Sequence, residues 1–203
     1  NYTSHEAAFY GKVNEDEYGQ AFIQDLENAN IAYKGVIKQN DLPTGCCNIL
    51  VSPDGERTMA THIGIGSQLH PDELSEDSLQ GIDHIYMESY LWDHDLTKQT
   101  LKKVGKIAKA INIETSLSLS DPFCVDRHRD ELKEFIEEYV DLVFCNFDEA
   151  KMFAQSETMA DVSAFFQSFG KKIAMTASVE GAYYFHGETV AHQPAQKIEQ
   201  VID

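Results

Sequence analysis

The fold is decided by residues 111–146, which read INIETSLSLSDPFCVDRHRDELKEFIEEYVDLVFCN. Residues 111–119 alternate apolar and polar side chains strictly, which predicts a β-strand. Apolar residues then recur at i, i+3, i+4 and i+7 and predict a helix over Arg127 to Tyr139: Leu132, Phe135, Ile136 and Tyr139. The apolar run from Leu142 to Cys145 predicts a short buried strand. This order of strand, helix and strand is typical of an α/β fold with a mostly parallel sheet.

The same alternation continues on both sides of this stretch. The flanking elements are predicted as strands over 82–87 and 173–176, helices over 71–80 and 98–110, a helix from Asn146 onward, and a hairpin of 182–185 with 189–192. Nearer the N-terminus, strands are predicted over 7–13 and 33–38, with a helix after Asp16. A second hairpin joins Thr44–Val51 to Glu56–His62 through a Pro-Asp-Gly turn. Residues 1–203 are expected to form one incomplete domain, in which residues 33–62 include a lid or edge hairpin.

The charge balance excludes several classes of partner. Acidic residues outnumber basic ones 34 to 16 among the 203 residues, for a formal net charge of −18. Because Lys and Arg form no block, nucleic acid and anionic membranes are not expected as partners. No stretch approaches the roughly 18 apolar residues of a membrane helix, and no charged-then-apolar leader is present. A cytoplasmic protein is expected.

The cysteines indicate neither a disulfide framework nor a zinc site. The four are Cys46, Cys47, Cys124 and Cys145, and they contain no C-x-x-C pair. Neighbouring residues on a strand point to opposite faces, so Cys46 and Cys47 do not readily share one ligand. All four are predicted to be buried, reduced thiols.

Three polar residues come after predicted strands: Glu88, Asp121 and Asn146. In open α/β sheets, ligands bind beyond the carboxyl ends of the strands. A carboxylate there can accept hydrogen bonds from sugar hydroxyls or help to hold a metal ion. Position alone also fits solvated loop acids, so both interpretations stay open.

Two further segments offer similar alternatives. Asn146-Phe147-Asp148-Glu149 fits a helix cap, with Asn at the N-cap and Glu three residues later, and it equally fits a carboxylate beside a hydrated Mg²⁺. In the segment from Thr176 to Gly181, the glycine either lets the backbone approach a nucleotide or only relieves a turn. Gly11 and Gly19 bracket Asp16, which is expected to cap the first helix. The nucleophile-elbow pattern G-x-S-x-G of α/β-hydrolases is missing, as is the P-loop pattern G-x-x-x-x-G-K-[ST]. A hydrolase of that class and a P-loop kinase are therefore excluded.

Together these stretches resemble the PfkB family of ribokinase-like kinases. Gly11 to Gly19 is similar to the family's G-x-V-G-x-D-x-x-G, with Asn14 in place of a glycine. Thr44-Gly45 with Asp54 to Thr58 is similar to its T-G…D-G-E-R-T hairpin. Asn146 to Glu149 matches its N-x-x-E, and Thr176 to Gly181 is similar to T-x-G-x-x-G, with Ser178 in place of the first glycine. Ser116 to Arg129 is similar to the adenosine kinase-like branch.

The resemblance implies a ribokinase-like three-layer α/β/α fold with a small antiparallel lid. It implies transfer of the ATP γ-phosphoryl group, with Mg²⁺, to a hydroxyl of a sugar or nucleoside. By the resemblance, Glu88 contacts the acceptor, Asn146, Glu149, Thr176, Ser178 and Gly181 lie at the nucleotide, and Glu149 serves the metal. Asp203 matches the first Asp of the family's D-T-x-G-A-G-D motif. No catalytic residue is therefore assigned in this chain, and the base is expected beyond Asp203.

Further expectations follow from the same resemblance. The N-terminal substrate-binding part is expected to precede Asn1, the isolated chain is expected to be inactive, and the lid could form a homodimer. One alternative is a non-catalytic nucleotide- or sugar-binding protein on the same fold. A flavodoxin-like domain is another alternative, against which the hairpin from Thr44 to Thr58 argues.

Overall fold

The computed structural model describes residues 6–39 and 41–197. The described residues divide into two compact units, one up to Ser78 and the other from Leu79 onward. The prediction of a single domain over residues 1–203 stays a prediction.

The first unit contains two short parallel strand pairs beside one helix. Its first elements are β1 (Ala7–Phe9), β2 (Lys12–Val13), α1 (Glu17–Asn28), β3 (Ile31–Tyr33) and β4 (Val36–Ile37), with β1 paired to β3 and β2 to β4. The predictions of continuous strands over 7–13 and 33–38 were therefore wrong. Both breaks fall beside a glycine, and a Cβ on Gly35 would lie 2.1 Å from the Gly11 carbonyl oxygen. Glycine at residue 35 permits this close approach, and the Val36 amide still donates to the Gly11 carbonyl oxygen at 2.8 Å across the break.

Asp16 ties α1 to the segment before the hairpin. Its Oδ1 accepts hydrogen bonds from the Gly19 amide at 2.8 Å and from the Thr44 hydroxyl at 2.7 Å. Its Oδ2 accepts from the Thr44 amide at 2.8 Å, and the Asn14 amide donates to the Thr44 hydroxyl at 2.9 Å. The expected role of Asp16 as a helix cap is confirmed.

The predicted hairpin is present as β5 (Cys46–Val51) and β6 (Arg57–His62), which pair in register from Cys46 opposite His62 to Val51 opposite Arg57. Because most of this two-stranded ribbon is exposed, the prediction of four buried cysteines was wrong for Cys47, which is exposed, and for Cys46, which is half-buried. Cys124 and Cys145 are buried. Burial raises the pKa of both of these thiols, so they stay protonated.

The prediction of a helix over Pro71 to Gln80 was also wrong. The segment forms two short 3-10 turns, Pro71–Glu73 and Glu76–Leu79. They are separated by Leu74, which has an extended backbone and a buried side chain. The first turn is held by the Glu73 carboxylate, which accepts from Lys12 Nζ at 2.6 Å and from the His70 amide at 2.9 Å. Burial of Leu74 and this ion pair therefore replace the hydrogen bonds of a continuous helix.

The second unit is a six-stranded sheet with helices packed on it. In chain order its elements are β7 (His84–Glu88), α2 (Asp95–Ile111), β8 (Glu114–Ser118), α3 (Pro122–Tyr139), β9 (Leu142–Asn146), α4 (Phe147–Ala154), α5 (Met159–Phe169), β10 (Lys172–Thr176), β11 (Ala182–His186) and β12 (Thr189–Gln193). The sheet order is β7-β8-β9-β10-β11-β12, and the first four strands are parallel. β11 and β12 add an antiparallel hairpin at one edge. The predicted α/β fold with a mostly parallel sheet is confirmed.

Several boundaries in this unit differ from the predicted ones. The predicted strand 111–119 is shortened because Ile111 ends α2 and Asn112 closes that helix in the left-handed conformation, at φ 59°. The helix predicted from Arg127 begins at Pro122, because Asp121 accepts from the Cys124 amide at 2.9 Å and proline suits the first helical position. Local capping therefore overrides the apolar period in setting these ends.

The core of the second unit lies between the sheet and its helices. α2 packs on β8, α4 on β9 and β10, and α5 on β11. Alternate strand residues face this core and are fully or nearly fully buried: Leu117, Val143, Cys145, Ile173, Met175 and Phe185. The helices contribute Leu132, Ile136, Phe153 and Phe166, each at most 1% exposed. Side-chain alternation along each strand fixes which residues face the core, and the carboxyl ends of the strands carry the polar residues of the candidate site.

Candidate active site at the carboxyl edge of the parallel strands

The parallel register brings the predicted strand-end residues to one edge of the sheet. Glu88 lies opposite Ser118 on the neighbouring strand, and Asn146 lies opposite Thr176. Glu88 and Asn146 are the last residues of β7 and β9, and β8 runs between these strands. Glu88 and Asn146 therefore share one edge of the sheet, and what they bind stays a prediction.

Two hydroxyl groups hold the Glu88 carboxylate. The Tyr86 hydroxyl donates to Oε1 at 2.6 Å, and the Ser120 hydroxyl donates to Oε2 at 2.8 Å. Tyr86 precedes Glu88 by two residues and so lies on the same face of β7. Burial raises the pKa of the Tyr86 hydroxyl, and the hydrogen bond to Glu88 raises it further. The carboxylate is thus fixed through both of its oxygens.

Asn146 and Glu149 form a reciprocal cap at the start of α4. The Asn146 side-chain oxygen accepts from the Glu149 amide at 2.8 Å. In return, the Glu149 carboxylate accepts from the Asn146 amide at 2.9 Å and from its side-chain Nδ2 at 2.7 Å. The capping interpretation is therefore confirmed. It does not exclude the metal interpretation, because a carboxylate has about four acceptor positions and two are in use.

Glu149 is a buried acid among other acids. Glu149 is only 5% exposed. Burial raises the pKa of its carboxyl, against the opposing effect of the Asn146 amide. The charges of Asp121, Glu88 and Asp148 raise that pKa further. Negative charge is therefore in excess at this edge of the sheet.

Tyr90 is affected by the same excess of negative charge. The Tyr90 hydroxyl donates to the Ser120 carbonyl oxygen at 3.2 Å. Burial raises the pKa of the Tyr90 hydroxyl, and the nearby carboxylates of Asp121 and Glu149 add to the rise. Within residues 6–39 and 41–197, no three His, Cys, Asp or Glu side chains are grouped closely enough to enclose a metal ion directly.

The turn after β10 contains the other predicted nucleotide residues. Thr176 is exposed at the strand end, Ser178–Glu180 form one 3-10 turn, and the Ala177 amide donates to the Gly181 carbonyl oxygen at 2.7 Å. Ser178 has φ 48°, a left-handed conformation that explains why a glycine would suit its position. Gly181 has φ 99°, and a Cβ there would lie 2.0 Å from the Gln193 carbonyl oxygen. The turn itself therefore requires this glycine.

Sequence reasoning assigned no role to Tyr86 or Ser120. Tyr86 could have been found, because strand periodicity puts residue i−2 on the same face as Glu88. Ser120 could not, since its contact with Glu88 depends on a left-handed turn after β8, at φ 64°, that no local pattern predicts for serine. No helix among the described residues is long and apolar enough to span a membrane.

Comparison with known proteins gives this geometry a family. An adenosine kinase structure from Sinorhizobium meliloti superposes with a TM-score of 0.92 at 32% identity, over 98% of this chain and 62% of that one. A candidate ribokinase II from E. coli, solved with ATP and Mg²⁺, gives a TM-score of 0.85 at 19% identity, over 98% of this chain and 65% of that one. The guanosine-inosine kinase of Escherichia coli (strain K12) is 29% identical over 115 residues, which are 55% of this chain and 26% of that protein.

These relatives confirm the ribokinase-like α/β fold with its mostly parallel sheet. The chain spans about three fifths of the solved structures, 62% of one and 65% of another, and 26% of the guanosine-inosine kinase. The sequence also matches the pfkB family carbohydrate kinases over residues 2–203. With that match on this fold, the chain belongs to the pfkB family of carbohydrate kinases.

Proposed function

We propose that this chain is part of an ATP-dependent kinase that phosphorylates a hydroxyl group of a sugar or nucleoside. The family match over residues 2–203 carries the proposal. It is supported by relatives designated adenosine kinase and guanosine-inosine kinase. The adenosine kinase shares 32% identity over 98% of this chain, which favours a nucleoside or ribose-like acceptor.

Glu88 is the residue proposed to contact the acceptor. It ends β7 at the edge where α/β sheets bind ligands. With one oxygen bonded to Tyr86 and the other to Ser120, each oxygen keeps a further acceptor position for a hydroxyl of the substrate.

Asn146 and Glu149 are proposed to serve the phosphate side. The residues fit a hydrated Mg²⁺: the buried Glu149 carboxylate lies among like charges, and its two hydrogen bonds leave acceptor positions for metal-bound water. When bound, Mg²⁺ supplies charge neutralisation for phosphate oxygens. Glu149 would hold it by accepting from its water ligands, while Asn146 keeps the carboxylate oriented.

The turn after β10 is proposed to border the nucleotide. Thr176 lies beside Asn146 in the ladder, so the exposed end of β10 shares the edge with the phosphate-side residues. Ser178 and Gly181 shape the turn that follows. The base implied by the family resemblance would follow Asp203, which is outside the described residues. A cytoplasmic location is proposed with this reaction.

A coupled assay of ADP release tests the proposal on the full-length gene product. Adenosine, guanosine, ribose and fructose serve as acceptors, with and without Mg²⁺. We expect Mg²⁺-dependent turnover with at least one acceptor, a higher KM for that acceptor in Glu88→Gln, and loss of turnover in Glu149→Gln with binding of the acceptor little changed. ATP binding without turnover on any acceptor would instead favour the non-catalytic binding protein.

The hairpin is proposed to join two copies of the chain. Four of its apolar residues are 52–69% exposed: Ile49, Leu50, Val51 and Met59. Ile49, Val51 and Met59 lie on one face of the ribbon, because Ile49 pairs with Met59 and alternate strand residues share a face. Contiguous exposed apolar surface is typical of interaction sites. Light scattering of the full-length protein should give a dimer mass, and Ile49→Lys should convert it to a monomer. A monomer in the unsubstituted protein would refute this part of the proposal.

A further inference from the structure

Each oxygen of the Glu88 carboxylate is held by a different hydroxyl group. Tyr86 Oη lies 2.6 Å from Oε1, and Ser120 Oγ lies 2.8 Å from Oε2. We propose that Tyr86 and Ser120 are positioning residues, which fix this carboxylate in one orientation for the acceptor hydroxyl. The inference rests on the proposed function, in which Glu88 contacts the acceptor.

The Ser120 hydroxyl is itself oriented. It accepts a hydrogen bond from the Ser89 amide at 3.0 Å, which occupies one of its lone-pair directions. Its proton can then be directed to the Glu88 carboxylate at 2.8 Å or to the Ser118 carbonyl oxygen at 3.3 Å. A charged acceptor at the shorter distance wins this competition. The backbone just after Glu88 thus directs the serine proton back onto the Glu88 side chain.

The backbone at Ser120 is shaped for this contact. Serine stands at φ 64°, a left-handed conformation that non-glycine residues seldom adopt. Two further hydrogen bonds hold it there: the Ser120 amide donates to the Ser118 hydroxyl at 3.2 Å, and Tyr90 donates to the Ser120 carbonyl oxygen at 3.2 Å. Glycine would fill the turn without strain but would carry no hydroxyl. The hydroxyl is therefore the feature that distinguishes serine from the less strained residue at this position.

A carboxylate fixed through both oxygens binds with less loss of side-chain freedom. A glutamate with free torsions must be ordered when the acceptor binds, and ordering one such side chain weakens binding by about three- to tenfold. Removing either hydroxyl should therefore raise the acceptor KM within that range. The KM for ATP should stay unchanged, because the ATP-side residues Asn146 and Glu149 share no hydrogen bond with Ser120 or Tyr86 among those described.

Paired substitutions in the full-length protein separate positioning from stability. Ser120→Ala and Ser120→Gly both remove the hydroxyl, but only glycine relieves the left-handed strain, so their melting temperatures should diverge. We expect both variants, and Tyr86→Phe, to raise the KM for adenosine or ribose by about three- to tenfold while the KM for ATP stays constant. Ser168→Ala, on the exposed face of α5, is the matched control and should match the unsubstituted protein.

The inference is overturned if folded Ser120 variants keep the original acceptor KM, or if the KM follows the melting temperature. An unsubstituted protein that turns over none of the acceptors refutes the proposed function instead. Positioning is then read from crystal structures of the unsubstituted and Ser120→Gly proteins. We expect one Glu88 conformer in the first and several in the second. A single unchanged conformer in both would overturn the inference independently of activity.

Discussion

The substitution Glu149→Gln examines a carboxylate that is buried among like charges. Burial raises its folded-state pKa above the ordinary value of 4.5. Below pH 4.5 the carboxyl is protonated in both the folded and the unfolded chain. As the pH rises from there to the folded-state pKa, the unfolded chain ionises first, so the contribution of Glu149 to stability is progressively lost.

The size of the effect follows from this linkage. One titrating group changes the free energy of unfolding by at most about 1.4 kcal/mol per pH unit between its two pKa values. Glutamine does not titrate, but it loses one of the two hydrogen bonds from Asn146, at about 1 kcal/mol independent of pH. The variant should therefore start less stable than the unsubstituted protein at pH 4.5, gain relative to it as the pH rises, and level off above the folded-state pKa of Glu149.

Urea unfolding between pH 4 and 8 measures this difference through tryptophan fluorescence. Trp92 is the single tryptophan of the chain, is 1% exposed, and lies in the same unit as Glu149. Glu137→Gln is the control, because this exposed residue of α3 pairs with Lys133 at 3.8 Å and should give a difference within about 0.5 kcal/mol at every pH. The reasoning would be refuted if the stability of Glu149→Gln relative to the unsubstituted protein stayed constant, or decreased, as the pH rises.

Three further outcomes are expected. Ser178→Gly should stabilise the protein by about 0.5–1 kcal/mol in urea unfolding, because glycine removes the left-handed strain at φ 48°; Ser178→Ala should bring no gain. Gly181→Ala should destabilise it by about 2–4 kcal/mol, since the added Cβ meets a carbonyl oxygen at 2.0 Å, and an unchanged urea midpoint would contradict the described turn. Glu88→Gln should lower the pKa of Tyr86 in an NMR titration of ¹³C-labelled tyrosine, because it removes the negative charge that accepts the hydrogen bond of the tyrosine hydroxyl. An unchanged pKa would contradict the 2.6 Å hydrogen bond.

The second unit could be predicted well because its elements carry strong local signals. Side-chain alternation identified β8, helical spacing identified α3 and an apolar run identified β9. Parallel strands imply a shared carboxyl edge. The first unit was harder, since its strands have two or three residues and break where Gly11 and Gly35 bring two backbones together. Close approach between segments distant in sequence leaves no periodic trace. The helix predicted from Pro71 was wrong for a related reason, because the turn over Pro71–Glu73 depends on Lys12, which is distant in sequence.

The candidate site divides in the same way. The contact between Asn146 and Glu149 could be predicted, because a capping box is a local pattern that joins two residues three positions apart. The hydrogen bond from Ser120 to Glu88 could not be predicted, because Glu88 lies on a strand 32 residues earlier in the chain. The Ser178 departure from the family pattern also became interpretable only with a backbone angle, which shows that serine occupies a conformation suited to glycine. Local caps are legible in sequence, whereas strained turns at a sheet edge are not.

The identity of the capping acid argues for its proposed function. Glutamine can also close a capping box, so the fold of α4 needs an acceptor at residue 149 but not a charge. The start of a helix favours an anion by only about 0.3–1 kcal/mol. At Glu149 that gain is opposed by burial at 5% exposure and by repulsion from Glu88 and Asp121. An acid placed against these effects is best explained by a partner of opposite sign that arrives with the ligand. The hydrated Mg²⁺ proposed beside the phosphates has that sign, and Glu149→Gln would then preserve the fold of the protein while abolishing its Mg²⁺-dependent turnover.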